Sequence, residues 1–301
     1  LIGLEIDALL KEHDETLKNI ALYNDILGNT AAMSRTIIHD LDGIRNKFSS
    51  QRETSIEITG EAVFEEKPVE EADVMFLMDR FGYAKTIDMQ TAERNKEAVE
   101  SPESEFRYRF VVKNTGRVVI FTNTGTAHIL RIRDLPLAKL RDKGVPVDNL
   151  SNFDSSKENY IMVCDLDTVI SGKLLFISRN AMMKIVDGSE FDVTKRSVAG
   201  TSLGMGDELF RVEIYNEETM RQILLRSEEG YFLRFSLQEI PEKKKGAIGV
   251  RAMKLGPTDK LEDIYFMKFA DERTIEYKGK EMPLTYIKLM KRDGKGTKIR
   301  I

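Results

Sequence analysis

Five times between residues 73 and 301, a short apolar run stops at a turn residue and resumes beyond it. The runs are Val74 to Gly82, Val118 to Gly125, Leu174 to Asn180, Ile223 to Gly230 and Thr274 to Gly279. Each predicts a β-hairpin, in which a residue tolerant of positive φ joins two short strands. Four of the turns use Gly; the third uses Asn180, the next most tolerant residue. The turns at 82, 125, 180, 230 and 279 are 43 to 55 residues apart, which is a blade period. The expected fold is mainly β, a five-bladed pinwheel of propeller type over residues 73–301. Phe76, Ile120, Phe176 and Leu224 hold corresponding or adjacent places in four first strands and should be buried. The fifth unit is short, so a closed ring would need a strand from elsewhere, near Thr54–Ile58.

Residues 1–56 follow a different rule. Ile6, Leu9, Leu10, His13, Leu17 and Ile20 recur at helical spacing, and Met33, Ile37, Leu41, Ile44 and Phe48 repeat the pattern after Gly28-Asn29. Asn29 or Thr30 can cap the second helix. Two such helices make an α-helical hairpin or the end of a coiled coil. Residues 57–72, acidic and containing Pro68, read as a linker. Charge divides at the same boundary. Residues 1–72 carry 7 basic and 15 acidic side chains, whereas the remainder is net positive although the whole chain has a net charge of −4. An acidic total therefore does not exclude a nucleic-acid partner, since a local basic stripe decides such binding.

Basic residues recur in the segment after every hairpin. They are Arg94 and Lys96; Lys139, Arg141 and Lys143; Lys195 and Arg196; Lys243, Lys244 and Lys245; and Lys291, Arg292, Lys295 and Lys298. One basic loop is ordinarily just solvated. Five at matching places in a repeat would form a curved positive track for a bent polyanion. The pattern alone leaves two readings open, a DNA- or RNA-binding domain and a propeller that binds protein.

Enzyme signatures are absent: there is no GxxxxGK[ST] and no G-x-S-x-G. Gly200 to Gly206 precedes no helical pattern and reads as a β-turn. Asp165 and Asp167 read as solvated loop acids. His13, His39 and His128 have no partners at ligand spacing, so no metal and no cofactor are expected. Cys164, the single cysteine, lies in an apolar run and is expected to be an inert thiol in a reducing cytoplasm. No apolar run approaches the roughly 20 residues that span a bilayer. The chain starts at Leu1 rather than Met, as expected of a fragment.

The helical pair ending Ile44-Arg45 to Phe48, then Gln51-Arg52, resembles the end of the breakage–reunion region of bacterial type II topoisomerase A subunits, of the gyrase A or topoisomerase IV A kind. Asp73-Val74 with Phe81-Gly82-Tyr83 resembles the start of their C-terminal pinwheel. Val118 to Phe121 with Leu135-Pro136, and Gly249-Val250-Arg251 with Leu255-Gly256, resemble later blades. The resemblance implies hairpin-exchanged blades that wrap duplex DNA on a basic outer rim, with Arg251 joining the basic residues above. It implies that the parent is an ATP-dependent topoisomerase, a homodimer of A subunits working with an ATPase B subunit near the nucleoid. It also implies that the catalytic tyrosine and the Mg²⁺ apparatus lie outside this chain. Gyrase A subunits carry a Q-[RK]-R-G-G-[RK]-G box in the first blade. Here Thr91 to Ala98 has no glycine and carries acids, and the nearest copy is Lys291 to Gly296 in the last unit.

Overall fold

The computed structural model describes residues 2–50, 54 and 70–299. The chain divides into two compact units, 1–66 and 67–301.

In the first unit, α1 (Ile2–Gly28) and α2 (Thr30–Phe48) form the expected helical pair. Asn29 caps α2, its side-chain oxygen accepting from Ala31 N–H at 3.0 Å. Among the described residues only Ala32 is buried there, and the stripes from Ile6 to Ile20 and from Ile37 to Phe48 are exposed. Two helices bring too little surface together to make a core.

The second unit starts with the hairpin β1 (Asp73–Asp79) and β2 (Tyr83–Asp88). Two short helices follow, α3 (Met89–Arg94) and α4 (Lys96–Glu100). β3 (Phe106–Lys113) leads into the second hairpin, β4 (Arg117–Thr122) and β5 (Thr126–Arg131), and β6 (Val145–Pro146) trails it. β7 (Tyr160–Asp165), α5 (Leu166–Ile170), β8 (Lys173–Ser178), β9 (Met182–Asp187) and β10 (Ser197–Ala199) make the third group. β11 (Leu209–Tyr215), β12 (Gln222–Ser227), β13 (Tyr231–Ser236) and β14 (Val250–Arg251) make the fourth. β15 (Leu261–Met267), β16 (Thr274–Tyr277), β17 (Lys280–Pro283) and β18 (Thr297–Lys298) make the fifth.

Pairing is offset by one unit. The strands before and after each hairpin join the sheet of the hairpin before it, giving the orders β3-β1-β2-β6, β7-β4-β5-β10, β11-β8-β9-β14 and β15-β12-β13-β18. Each hairpin thus lends both of its flanks to its predecessor. Among the described residues the fifth hairpin, β16-β17, has no flanks of its own. The strand expected near Thr54–Ile58 to complete it lies outside the described residues apart from Thr54.

Consecutive blades pack face to face through alternating apolar side chains. Phe76 and Val112 meet Val118 and Ile120; Phe121 and Ala127 meet Phe176 and Phe191; Leu175 and Met183 meet Ile223 and Leu233; Leu224 and Phe232 meet Tyr277 and Met282. Phe76, Ile120, Phe176 and Leu224 are buried, as the repeat predicts. The remaining face of the first sheet, with Leu77 and Ile87, is covered by Ala92 and Val99 of the two short helices.

The third turn departs from expectation. Its left-handed residue is Ala181 (φ 60°), not Asn180, so it stands in register with Gly82, Gly125 and Gly230. At Gly82 and Gly230 an added Cβ would lie 2.0 and 2.4 Å from the hydroxyl oxygens of Tyr160 and Tyr277. The Ala181 methyl is instead buried within the apolar cluster of the third and fourth blades, which offsets its backbone strain. The Asp165 carboxylate caps α5, accepting from Thr168 N–H at 3.0 Å, rather than being merely solvated.

Candidate nucleic-acid interface

Strand exchange decides where the basic segments go. The chain after the second hairpin must cross the edge of β2 before it can form β6, and the same holds in each later unit. Thr86 N–H donates to Pro136 O (3.1 Å) while Ala138 N–H donates back to Thr86 O (2.8 Å). Ile185 N–H with Pro241 O, and Lys243 N–H with Ile185 O, repeat this pair on β9. Ile129 N–H of β5 donates to Arg196 O, and Met290 N–H donates to Arg234 O of β13. Four of the five basic segments therefore dock on the return strand of the preceding blade.

The first segment does not. Arg94 and Lys96 sit on α3 and α4, where the sequence pattern suggested a loop, and Lys96 pairs with Glu100 at 3.9 Å. No described sheet precedes the first hairpin, so its trailing segment folds back on its own blade. Asp88 starts α3 by accepting from Thr91 N–H at 2.7 Å.

In the docked loops, Lys139, Arg141, Lys143, Lys195, Arg196, Lys243, Lys291, Lys295 and Lys298 are exposed, and none is ion-paired with a carboxylate among the described residues. Lys143 lies over the Tyr83 ring at 4.2 Å, and Lys295 and Lys298 lie over Tyr231 at 4.7 and 5.1 Å. Rings one residue beyond a turn thus carry cations at two blades. Lys244 is exposed but faces Glu190 at 3.6 Å. Lys245 is turned inward, its ammonium on the Glu190 carbonyl. Arg292 is half-buried and donates to the Arg251 carbonyl, while Arg251 itself pairs with Asp293. That ion pair raises the Arg251 pKa and lowers that of Asp293.

Gly144, Gly249 and Gly296 close three of the loops with φ of 83°, 104° and 82°. A Cβ there would come within 2.6, 2.5 and 2.5 Å of the carbonyls of Ala84, Met183 and Phe232, so the loop backbone lies directly on the strand.

Beneath the loops are buried polar groups that sequence reasoning missed. Lys85, His128 and Lys184 each occupy the third position after the left-handed turn residue. The signal was present as a basic residue in the middle of a short strand run. Lys184 donates to the carbonyls of Lys244, Lys245 and Ala247, and Lys85 to those of Leu140 and Asp142. His128 bridges Ser197 Oγ (2.8 Å) and Glu158 Oε2 (2.9 Å). Arg234, one position later in its blade, donates to the carbonyls of Thr285 and Ile287 at 3.2 and 3.1 Å. Burial pushes Lys184 down to about 8 and also lowers Lys85. Burial pushes the Cys164 thiol up to about 11, in keeping with an inert residue. No metal-ligand cluster occurs among the described residues.

The family model "DNA gyrase C-terminal domain, beta-propeller" matches residues 172–216 and 221–266. Each match begins just before a hairpin, the third or the fourth, and runs through the strand that leads into the next. The chain is 26% identical over 269 residues to the DNA gyrase A protein of Helicobacter pylori (strain J99), covering 86% of this chain and 32% of the relative. It is 28% identical over 246 residues to the Streptococcus pneumoniae (TIGR4) gyrase A protein, covering 78% and 30%. It is 24% identical over 314 aligned positions to that of Staphylococcus aureus (Mu50), covering 99% and 35%. The chain thus spans about a third of these relatives' length. The C-terminal domain of DNA topoisomerase IV shares the fold with a TM-score of 0.67 at 22% identity, over 77% of this chain and 73% of that one. The E. coli ParC C-terminal domain does so with a TM-score of 0.61 at 16% identity, over 76% and 94%. In repeat order and sequence this chain is similar to the C-terminal regions of DNA gyrase A proteins, and it shares the fold of the topoisomerase IV C-terminal domain.

Proposed function

We propose that the chain binds and bends duplex DNA without reading its sequence, and that the docked loops bear on the phosphates. The observation that carries this reading is the docking of four basic loops on equivalent return strands. Lysine and arginine tips on loops with no rigid fork-and-base geometry suit phosphates rather than base edges. In the parent molecule this region would present DNA to the catalytic core of a topoisomerase that changes supercoiling, within a homodimer of A subunits working with an ATPase B subunit. The first segment, where gyrase A subunits carry their glycine-rich box, is helical here, and the glycine-rich basic run falls at Lys291–Lys298. That supports a role of topoisomerase IV type as much as one of gyrase type.

Binding to labelled duplexes across a salt series tests the reading. Each neutralised phosphate contributes about −0.9 to the log–log slope, so one or two contacts per docked loop give a slope of roughly −4 to −7. Long duplexes should bind better than short ones after correction for the number of sites. Salt-independent or absent binding would turn the assignment toward a protein-binding propeller.

A further inference from the structure

Two docked loops are held from beneath by a buried ammonium, through the same atoms in both. Lys85 on β2 and Lys184 on β9 are 2% and 0% exposed. Lys184 Nζ donates to Lys245 O at 2.6 Å and Ala247 O at 2.7 Å, with Lys244 O at 3.2 Å. Lys85 Nζ donates to Leu140 O and Asp142 O. Counted from the left-handed glycines Gly249 and Gly144, these shared carbonyls are those four and two residues earlier in both loops.

All the hydrogen-bond acceptors of the two ammonium groups among the described residues are backbone carbonyls. Carbonyl dipoles hold a cation but do not neutralise it, and the carboxylates that act on these two, Glu190 on Lys184 and Glu105, Asp142 and Asp79 on Lys85, are not hydrogen-bonded to them, so a positive charge sits under each loop. Burying such a charge is costly, and a neutral hydroxyl or amide would close a loop at less expense. With those carbonyls drawn inward, the exposed basic side chains of the loops are Lys243 and Lys244, and Lys139, Arg141 and Lys143. The other two blades vary the device. Arg234 reaches the loop carbonyls from one position later, whereas His128 is hydrogen-bonded to Glu158.

We propose that Lys85 and Lys184 are positioning residues for phosphate binding: each turns its loop's carbonyls inward and sets a buried positive charge beneath the surface that receives the DNA backbone. The inference rests on the DNA-binding reading above and adds to it two residues that touch no DNA.

Lys184→Met keeps an unbranched apolar side chain of similar length and removes both donor and charge; Lys184→Gln, slightly shorter and with an added carbonyl oxygen, keeps a donor and removes the charge. Hydrogen exchange over residues 241–249 without DNA reports the loop, and duplex binding across salt reports the contacts. Lys184→Met should raise exchange in that loop, weaken binding on the order of tenfold, and flatten the salt slope by about two, the share of Lys243 and Lys244. Lys184→Gln should recover exchange protection but not affinity. Unchanged exchange, or unchanged affinity and slope, in folded Lys184→Met overturns the role, and so does full recovery of affinity by Lys184→Gln. Should Lys184→Met not fold, Lys85→Met with exchange over 137–144 carries the same test. The pH profile carries it in either case. Glu190 is the charged group that acts on Lys184, which also meets the carbonyls of Lys244 and Lys245 and the Phe176 ring at 5.4 Å. Surface lysines titrate near 10.4, so a loss of affinity between about pH 7 and 9 that Lys184→Gln lacks reads Lys184; the same profile in both proteins overturns the proposal. A wild type that binds no duplex overturns the DNA reading itself. A wild type that binds, with Lys184→Met binding equally, overturns only the positioning role.

Discussion

Replacing Lys243 and Lys244 together by Ala removes two exposed cations from the fourth docked loop while leaving its backbone hydrogen bonds intact. Lys244 faces Glu190 at 3.6 Å, but its side chain is 88% exposed, and so open a pair holds it too weakly to keep it from a phosphate. Lys245 differs, since its ammonium is bonded to the Glu190 carbonyl and lies 5.6 Å from the Phe191 ring. The double variant should therefore flatten the salt slope by about 1.8, and Lys245→Ala alone should leave the slope nearly unchanged. Over a fivefold rise in salt, a slope difference of about 1.8 makes the affinities of wild type and double variant converge roughly 18-fold. Fluorescence anisotropy with a long labelled duplex reads this directly. Lys245→Ala should instead lower thermal stability, because Glu190 loses a partner and Phe191 loses cover. If Lys245→Ala flattened the slope by about 0.9, or if the double variant kept the wild-type slope, the assignment of inward and outward lysines would be wrong.

Gly249→Ala should shift the same loop without changing its charge. Its φ of 104° suits glycine, and a Cβ would lie 2.5 Å from Met183 O, so a loss of about 2 kcal/mol is expected in denaturant titration. Phe121→Ala should cost about 3–5 kcal/mol, since this fully buried ring packs edge-on against Phe176 and Phe191 at 5.5 and 5.2 Å between two blades; a smaller loss would mean the blades repack. Lys184 also makes stability depend on pH. Its folded pKa of about 8 lies below the 10.5 of the unfolded chain, so between those values the unfolded state binds more protons. Lys184 should then contribute a rise in stability with pH across that window on the order of 1 kcal/mol per unit, read as the difference in slope between wild type and Lys184→Gln in urea unfolding.

Much of the architecture is local, and local chemistry is what a sequence states. Gly82, Gly125, Gly230 and Gly279 mark turns because a few residues of backbone sterics require it. Asn29 separates two helices by capping the second, which is equally local. The period of these turns implied blades, and the basic segments after them were visible as composition. Ala181 was missed because burial of its methyl in the clusters of neighbouring blades, not intrinsic preference, allows a left-handed alanine. The loan of both flanking strands to the preceding hairpin depends on contacts between residues far apart in the chain, which no turn signal encodes. That loan also makes the first basic segment unlike the others, since no described sheet stands before it to receive a loop. Lys85 and Lys184 read in sequence as basic residues in the middle of short strand runs; only tertiary structure brings the carbonyls that hold them, from loops 55 to 63 residues away. Whether a lysine meets solvent or a carbonyl is settled by where distant backbone lies, and so the sequence determined which residues are basic while the fold decided which of them face outward.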